Sequence, residues 1–216
     1  MPGAPSPPPG QTPEAPGQTQ GSAPPASTPD ARELLFPHTL GDTWELTTKE
    51  GKSTFKIRRT IVETRKDVSG KTTFVVELQR DRTPVHREEY VIDESGVSHT
   101  AFGMQREVRF DPPLPMLRLP FQPDTTWDWI GTYRSAEGTI PCKVSFKLTG
   151  PEPVQTAAGS FYAYRLDQQY TEQAPEGPRT YTTAQWYSPK VGLVKQVIRE
   201  NNSQTVAELT SYKVTP

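Results

Sequence analysis

The chain has a single cysteine and three histidines in 216 residues. One cysteine excludes an internal disulfide. The histidines, His38, His86 and His99, stand far apart, and no HExxH, HxH or Cys/His spacing joins them. Zinc is therefore not expected, nor any other metal or cofactor. Charge of one sign is missing too. The formal net charge is −1, which speaks against the basic field of a nucleic-acid binder. No apolar run approaches the roughly 18 residues of a membrane-spanning helix. No basic start followed by an apolar stretch marks a signal peptide. GxSxG, GxGxxG and P-loop patterns are absent, so Ser160 in "AAGSF" is no nucleophile elbow. Nothing selects a catalytic pair from the 25 acids, and no enzyme is expected.

What apolar content there is, 32 % of residues, is unevenly spread. Residues 1–30 hold ten of the 24 prolines and no aromatic, Leu, Ile or Val. Such a segment cannot bury enough surface to offset the entropy of ordering it. It reads as a disordered linker, partly extended as polyproline II. A Pro/Ser/Gly/Gln tether ahead of a compact domain is a layout of bacterial lipoproteins and secreted proteins. The expected location is thus outside the cytoplasm: periplasm, outer-membrane lipoprotein or cell surface, with a native leader cut away. Any membrane contact would then come through a lost N-terminal lipid anchor.

Residues 31–216 carry every Trp, Tyr and Phe and suffice for one domain. "PDARELLF" offers a short helix, capped by Asp30 and ended by Pro37. Elsewhere the period is two. Phe55, Ile57 and Ile61 share a face. So do Phe74, Val76 and Leu78, then Trp127 and Trp129, then Tyr162, Tyr164, Leu166 and Tyr170. Cys142 lies in such a run, "TIPCKVSFKL", and reads as a small buried apolar residue. Turn signals at Gly51, Gly70, Pro84, Gly96, Gly138, Gly159, Gly177 and Asn202 separate long strands. Long antiparallel strands in sequence order twist and curl. The expected fold is all-β: a large curved antiparallel meander, either barrel or half-barrel, with a two-sheet sandwich as the alternative.

Two stretches look alike. "TLGDTWEL" at 39–46 returns as "QPDTTWDW" at 122–129, each with a proline seven residues before its tryptophan (Pro37 and Trp44, Pro120 and Trp127). Proline belongs just before a strand because it cannot donate to a ladder. Tryptophan then buries a large surface where the strand begins. We read a weak internal duplication, two modules closing the two ends of one sheet. The second corner has Pro123-Asp124 where the first has Gly41, so the turns are expected to differ. Near the end, Trp186 and Tyr187 finish a strand, Pro189 to Gly192 turn the chain, and Val194 to Ile198 return.

"FPHTLGDTWEL", "VQTAAGSFYAYRLD" at 154–167 and "AQWYSPKVGLVKQVI" at 184–198 together resemble the TapB-like bacterial family of exported, β-rich domains. The resemblance spans roughly 35–214. It implies an envelope-associated all-β domain without known catalysis and supplies no active-site residues.

Two groups remain as site candidates. In "PVHREEYVIDE", His86 and Glu88 share a face near Asp93 and Glu94, and read as a solvated strand face with edge-protecting charge. The loop "FDPPLPMLRLPF", 110–121, is expected to form no regular ladder. Its Phe110, Met116, Leu117, Leu119 and Phe121, with Leu114, either cap the open end of the sheet or form an adhesive patch. With Trp129 they are the candidates for contact with a partner or ligand. The first functional expectation is a tethered envelope domain that binds or assembles with a surface protein. The alternative is a carrier of an apolar, lipid-like ligand in the concave face. Packing of Phe55, Phe74, Trp127, Tyr164 and Trp186 on one another would leave such a carrier no pocket.

Overall fold

The computed structural model describes residues 30–104 and 107–215. The linker expected at 1–30 lies, but for Asp30, outside the described residues. From Thr43 onward the described residues form strands and the turns that connect them. The strands are β1 Thr43–Glu50, β2 Ser53–Lys66, β3 Thr72–Arg80, β4 Thr83–Asp93, β5 Gly96–Phe102 and β6 Val108–Arg118. Then come β7 Thr125–Ser135, β8 Gly138–Thr156, β9 Gly159–Ala174, β10 Gly177–Ser188, β11 Gly192–Glu200 and β12 Ser203–Lys213. Each pairs antiparallel with its neighbour in sequence, and β1 pairs with β12, so the sheet is a closed 12-stranded barrel. Closure removes the edges a sandwich or half-barrel would have to protect.

The inner face is apolar where the alternation lasts. Leu46, Ile61, Leu114, Leu166 and Leu209 are among its fully buried side chains. Each contributes about 1.5–3 kcal/mol by leaving water. Tyr162 departs from the expected phase and is 71 % exposed. The register slips just beyond it, opposite Tyr164, between Thr149 and Glu152. That bulge turns β9 over by one residue, so Ala163 goes inside in place of Tyr162.

The helix α1, Ala31–Leu35, closes one end of the barrel. The Asp30 carboxylate accepts from the Arg32 backbone N–H at 2.9 Å, as a cap should. Lys190 N donates to Leu34 O at 2.7 Å. Phe36 packs on Tyr187, centroids 4.7 Å apart. Pro37 lies over Gly192, whose φ of +83° suits a residue without Cβ.

The two tryptophan corners are more alike than their residues suggest. Three positions before each tryptophan the backbone is left-handed, at Gly41 (φ 88°) and at Asp124 (φ 60°). Aspartate tolerates that region better than most residues, so the expected difference between the turns is not found at this position. Each indole donates to a carbonyl, Trp44 to Val191 O at 2.5 Å and Trp127 to Pro115 O at 3.1 Å. The corners do not close two ends of a sheet, because the barrel has none. β1 meets β12, and β7 stands half-way round. At the first corner Asp42 is 1 % exposed. Its carboxylate takes Thr39 N at 3.2 Å and Thr215 N at 2.8 Å, tying the start of the barrel to its finish.

Most of the proline-rich 110–121 segment is not the irregular loop expected. It is β6, laddered to β5 from Gly96 to Phe102. Toward β7 only Arg109, Phe110 and Asp111 pair. Pro112, Pro113 and Pro115 have no N–H to give, yet the carbonyls of Pro112 and Pro115 still accept. Trp127 reaches Pro115 O, and Trp129 Nε1 donates to Pro112 O at 3.1 Å. The tryptophans stand in for the absent ladder. Gly131 makes room for this, since a Cβ there would lie 2.3 Å from Trp129 Cζ2 and 2.7 Å from Asp111 O. Gly131→Ala is expected to cost about 1–3 kcal/mol. It should also change the tryptophan emission of the native state, both measurable in one urea titration. Unchanged emission and midpoint would mean that the seam is not held this way.

Candidate functional site

An eight-stranded barrel is just filled by its own side chains; wider ones keep space inside. Here α1 occupies one end and the other stays open. The turns at 51–52, 81–82, 136–137, 175–176 and 201–202 ring that mouth. Within it lies a cavity of about 660 Å³ whose walls include Phe102, Val108, Tyr133, Ile140, Tyr181 and Ile198. Most of these face inward by register yet are only half-buried. The floor is polar. The Tyr133 and Tyr181 hydroxyls are 3.4 Å apart, and the Cys142 thiol donates to Tyr133 Oη at 3.2 Å. Tyr181 stacks on Tyr170, centroids 4.5 Å apart. Burial pushes the ionisation of Tyr133, Tyr170 and Tyr181 well above the ordinary tyrosine range and raises the Cys142 thiol. The floor therefore stays neutral, offers hydroxyl groups, and contains no thiolate nucleophile. Glu172, Arg179 and Glu200 complete the lining on one side. Arg179 bonds Glu200 at 2.6 Å and approaches Glu172 at 4.0 Å.

Deeper in, toward α1, sits a buried ion pair. Arg59 Nη2 donates to Glu88 Oε2 at 2.6 Å, and the Tyr90 hydroxyl donates to the same oxygen at 2.9 Å. Burial alone would raise the Glu88 carboxyl, but the Arg59 charge, helped by His99 and His86, reverses this and holds it at about 2. His99 stacks on Tyr90 with centroids 4.6 Å apart, and its Nε2 has no hydrogen-bond partner. Burial lowers its pKa to about 4 against the pull of Glu88. The "PVHREEYVIDE" stretch is thus not a solvated face. His86 and Glu88 follow Tyr90 and Ile92 inward, opposite Leu78 and Val76 of β3. Among the described residues no group of three or more His, Cys, Asp or Glu could hold a metal ion.

The other candidates from the sequence are placed elsewhere. Phe110, Met116, Leu117 and Trp129 are buried core. Met116 Sδ accepts from Gln168 Nε2 at 3.4 Å. Leu119 and Phe121 are half-buried at the α1 end, where Phe121 meets Tyr164 edge-on at 5.0 Å. None of these six lines the mouth cavity. Of the corner residues, Trp44 and Trp127 are core, Pro37 and Gly192 meet under α1, and Pro120 is exposed. Trp186 turns outward beneath Arg165 and Lys195, 5.2 and 5.7 Å from its ring. Of the aromatic residues whose mutual packing would fill the barrel, Phe74, Trp127 and Trp186 join one continuous core with Tyr164 against it, and none of the five lines the mouth cavity. Phe55 packs with Arg80, Phe74 with Tyr90, Trp127 with Phe146 and Tyr164 with Phe121.

The profile of the DUF3108-like family matches residues 141–214, most of β8 through β12. The motifs at 154–167 and 184–198 behind the TapB-like resemblance both fall within that match, which is to the DUF3108-like family and not to a TapB-like one. No curated protein matches the chain in sequence. The structure is similar to that of a candidate lipoprotein from Parabacteroides distasonis, with TM-score 0.55 and 15 % identity over 83 % of this chain and 98 % of that one. It is also similar to a candidate exported protein with a YmcC-like fold from Bacteroides fragilis, with TM-score 0.54 and 14 % identity over 83 % and 99 %. At these identities the likeness is one of fold.

Proposed function

We propose that this chain is a non-catalytic binding protein that takes an apolar ligand into the open mouth of its barrel. The half-buried apolar wall of the 660 Å³ cavity carries this reading. Apolar side chains facing a solvent-filled space forgo the burial that would stabilise them, and a ligand restores it. We also read the protein as exported and resident in the cell envelope. The Pro-rich segment before Asp30 supports that, as does a fold shared with proteins described as lipoproteins or exported.

The test is titration of the full chain with the neutral fluorophore N-phenyl-1-naphthylamine. One site with micromolar affinity is expected. Ile198→Lys, which puts a charge on the cavity wall, should weaken binding at least tenfold. No emission gain, or equal affinity in that variant, overturns the reading. A second reading, docking of an envelope protein, has one observation in its favour. A groove of about 680 Å³ crosses the outer wall of β7–β11, offering Asp128, Lys147, Asp167 and Arg199. Crosslinking in the native envelope through Gln169 would show a discrete adduct if that wall is occupied, and none if it is not.

A further inference from the structure

Three aromatic rings of the mouth converge beside one poorly paired carboxylate. Phe102 and Tyr133 meet edge-on with centroids 6.1 Å apart, and the Tyr181 hydroxyl lies 3.4 Å from that of Tyr133. All three line the cavity with Glu172. Glu172 is only 7 % exposed. Among the described residues its one ion pair is with Arg179 at 4.0 Å, and that guanidinium is held closer by Glu200, at 2.6 Å. Removing a carboxylate from water is costly unless a cation comes close. Aromatic faces with an acid beside them are the setting in which organic cations bind.

We propose that the mouth takes an amphiphilic organic cation, its ammonium group against Glu172 and the three rings, its chain along Val108, Ile140 and Ile198. This rests on the mouth being a ligand site and adds the sign of the ligand's charge. An anionic amphiphile would face three carboxylates, Glu137, Glu172 and Glu200, and the guanidinium of Arg179 is already held by Glu200. A compact metal ion would meet apolar walls that cannot replace its water.

The experiment is isothermal titration of the full chain with decyltrimethylammonium, decanoate and decanol, each below its micellar range. The cation is expected to bind at least tenfold more tightly than either of the others. Glu172→Gln should cost the cation about tenfold and leave decanol unchanged. Phe102→Leu, which keeps the carboxylate and removes one ring, should also weaken the cation selectively, and it serves if the first variant does not fold. Decanoate or decanol binding as tightly as the cation overturns the inference. So does an unchanged cation affinity in both variants. If none of the three binds while the neutral fluorophore does, the inference falls and the mouth remains a ligand site. If the fluorophore fails as well, both fall.

Discussion

Arg59→Met lowers the stability of the barrel by about 3–5 kcal/mol at neutral pH. The reason is the partner left behind. Glu88 sits inside the barrel with 16 % of its side chain exposed, bonded to Arg59 at 2.6 Å and to the Tyr90 hydroxyl. Without Arg59 the carboxylate keeps one hydroxyl and loses its countercharge. Methionine fills much of the arginine volume, so the loss reports charge rather than a cavity. Arg59→Met with Glu88→Gln removes both charges and should recover most of the stability, because a neutral pair has less desolvation to offset. The pH dependence adds a second signature. In the single variant Glu88 has lost the charge that depressed it, so it takes up a proton more readily and the defect shrinks as pH falls. Urea titrations of the three proteins at pH 7 and pH 5 settle the matter. A defect below about 1 kcal/mol, or no recovery in the double variant, would mean that water in the barrel already solvates the pair.

Acid removes stability from the native protein in two overlapping stages. His99 is neutral in the barrel, its pKa lowered from 6.5 to about 4. The unfolded chain binds that proton near 6.5, so the contribution is complete above that pH. It is lost as pH falls from about 6.5 toward 4, about 3 kcal/mol in all. Glu88 follows. Its folded pKa is held at about 2 against an unfolded 4.5. Its contribution, again about 3 kcal/mol, is present above 4.5 and fades as pH falls toward 2. The charged groups acting on His99 are Glu88, which raises its pKa, and His86 and Arg59, which lower it. His99→Phe should flatten the first stage and leave the second. The ring packs between Tyr90 and Phe110, at 4.6 and 4.8 Å, so phenylalanine fits the site. Stability measured at pH 7, 5.5 and 4 decides it. A His99→Phe variant as acid-sensitive as the native protein would assign the first stage to another group.

The strands were legible because their signal is local. Period-two alternation and glycine turns marked out most of the meander, and "PDARELLF" marked α1. Closure was not, because β1 and β12 pair across the length of the domain, Thr43 opposite Lys213. Asp42, which fastens that seam, is an ordinary corner aspartate in sequence. The 110–121 segment misled because proline excludes a strand only when its N–H is needed. β6 needs few on its β7 side, where indoles supply the donors. Glu88 was misjudged by composition, although its phase with Tyr90 and Ile92 already pointed inward. Glu172 stands likewise in phase with Leu166 and Tyr170. The mouth itself had no signal. Val108, Ile140 and Ile198 alternate like any core residue, and only the strand count leaves them half-covered.

The bond from Thr215 N to Asp42 places the last described residues beside the first corner, and α1 enters at that same end. A support, tag or fusion partner joined before Asp30 or after Thr215 therefore approaches the barrel from its stoppered side. Immobilised through Asp30 or Thr215, the protein presents its cavity to the bulk solution, and surface-based binding assays need no special orientation chemistry.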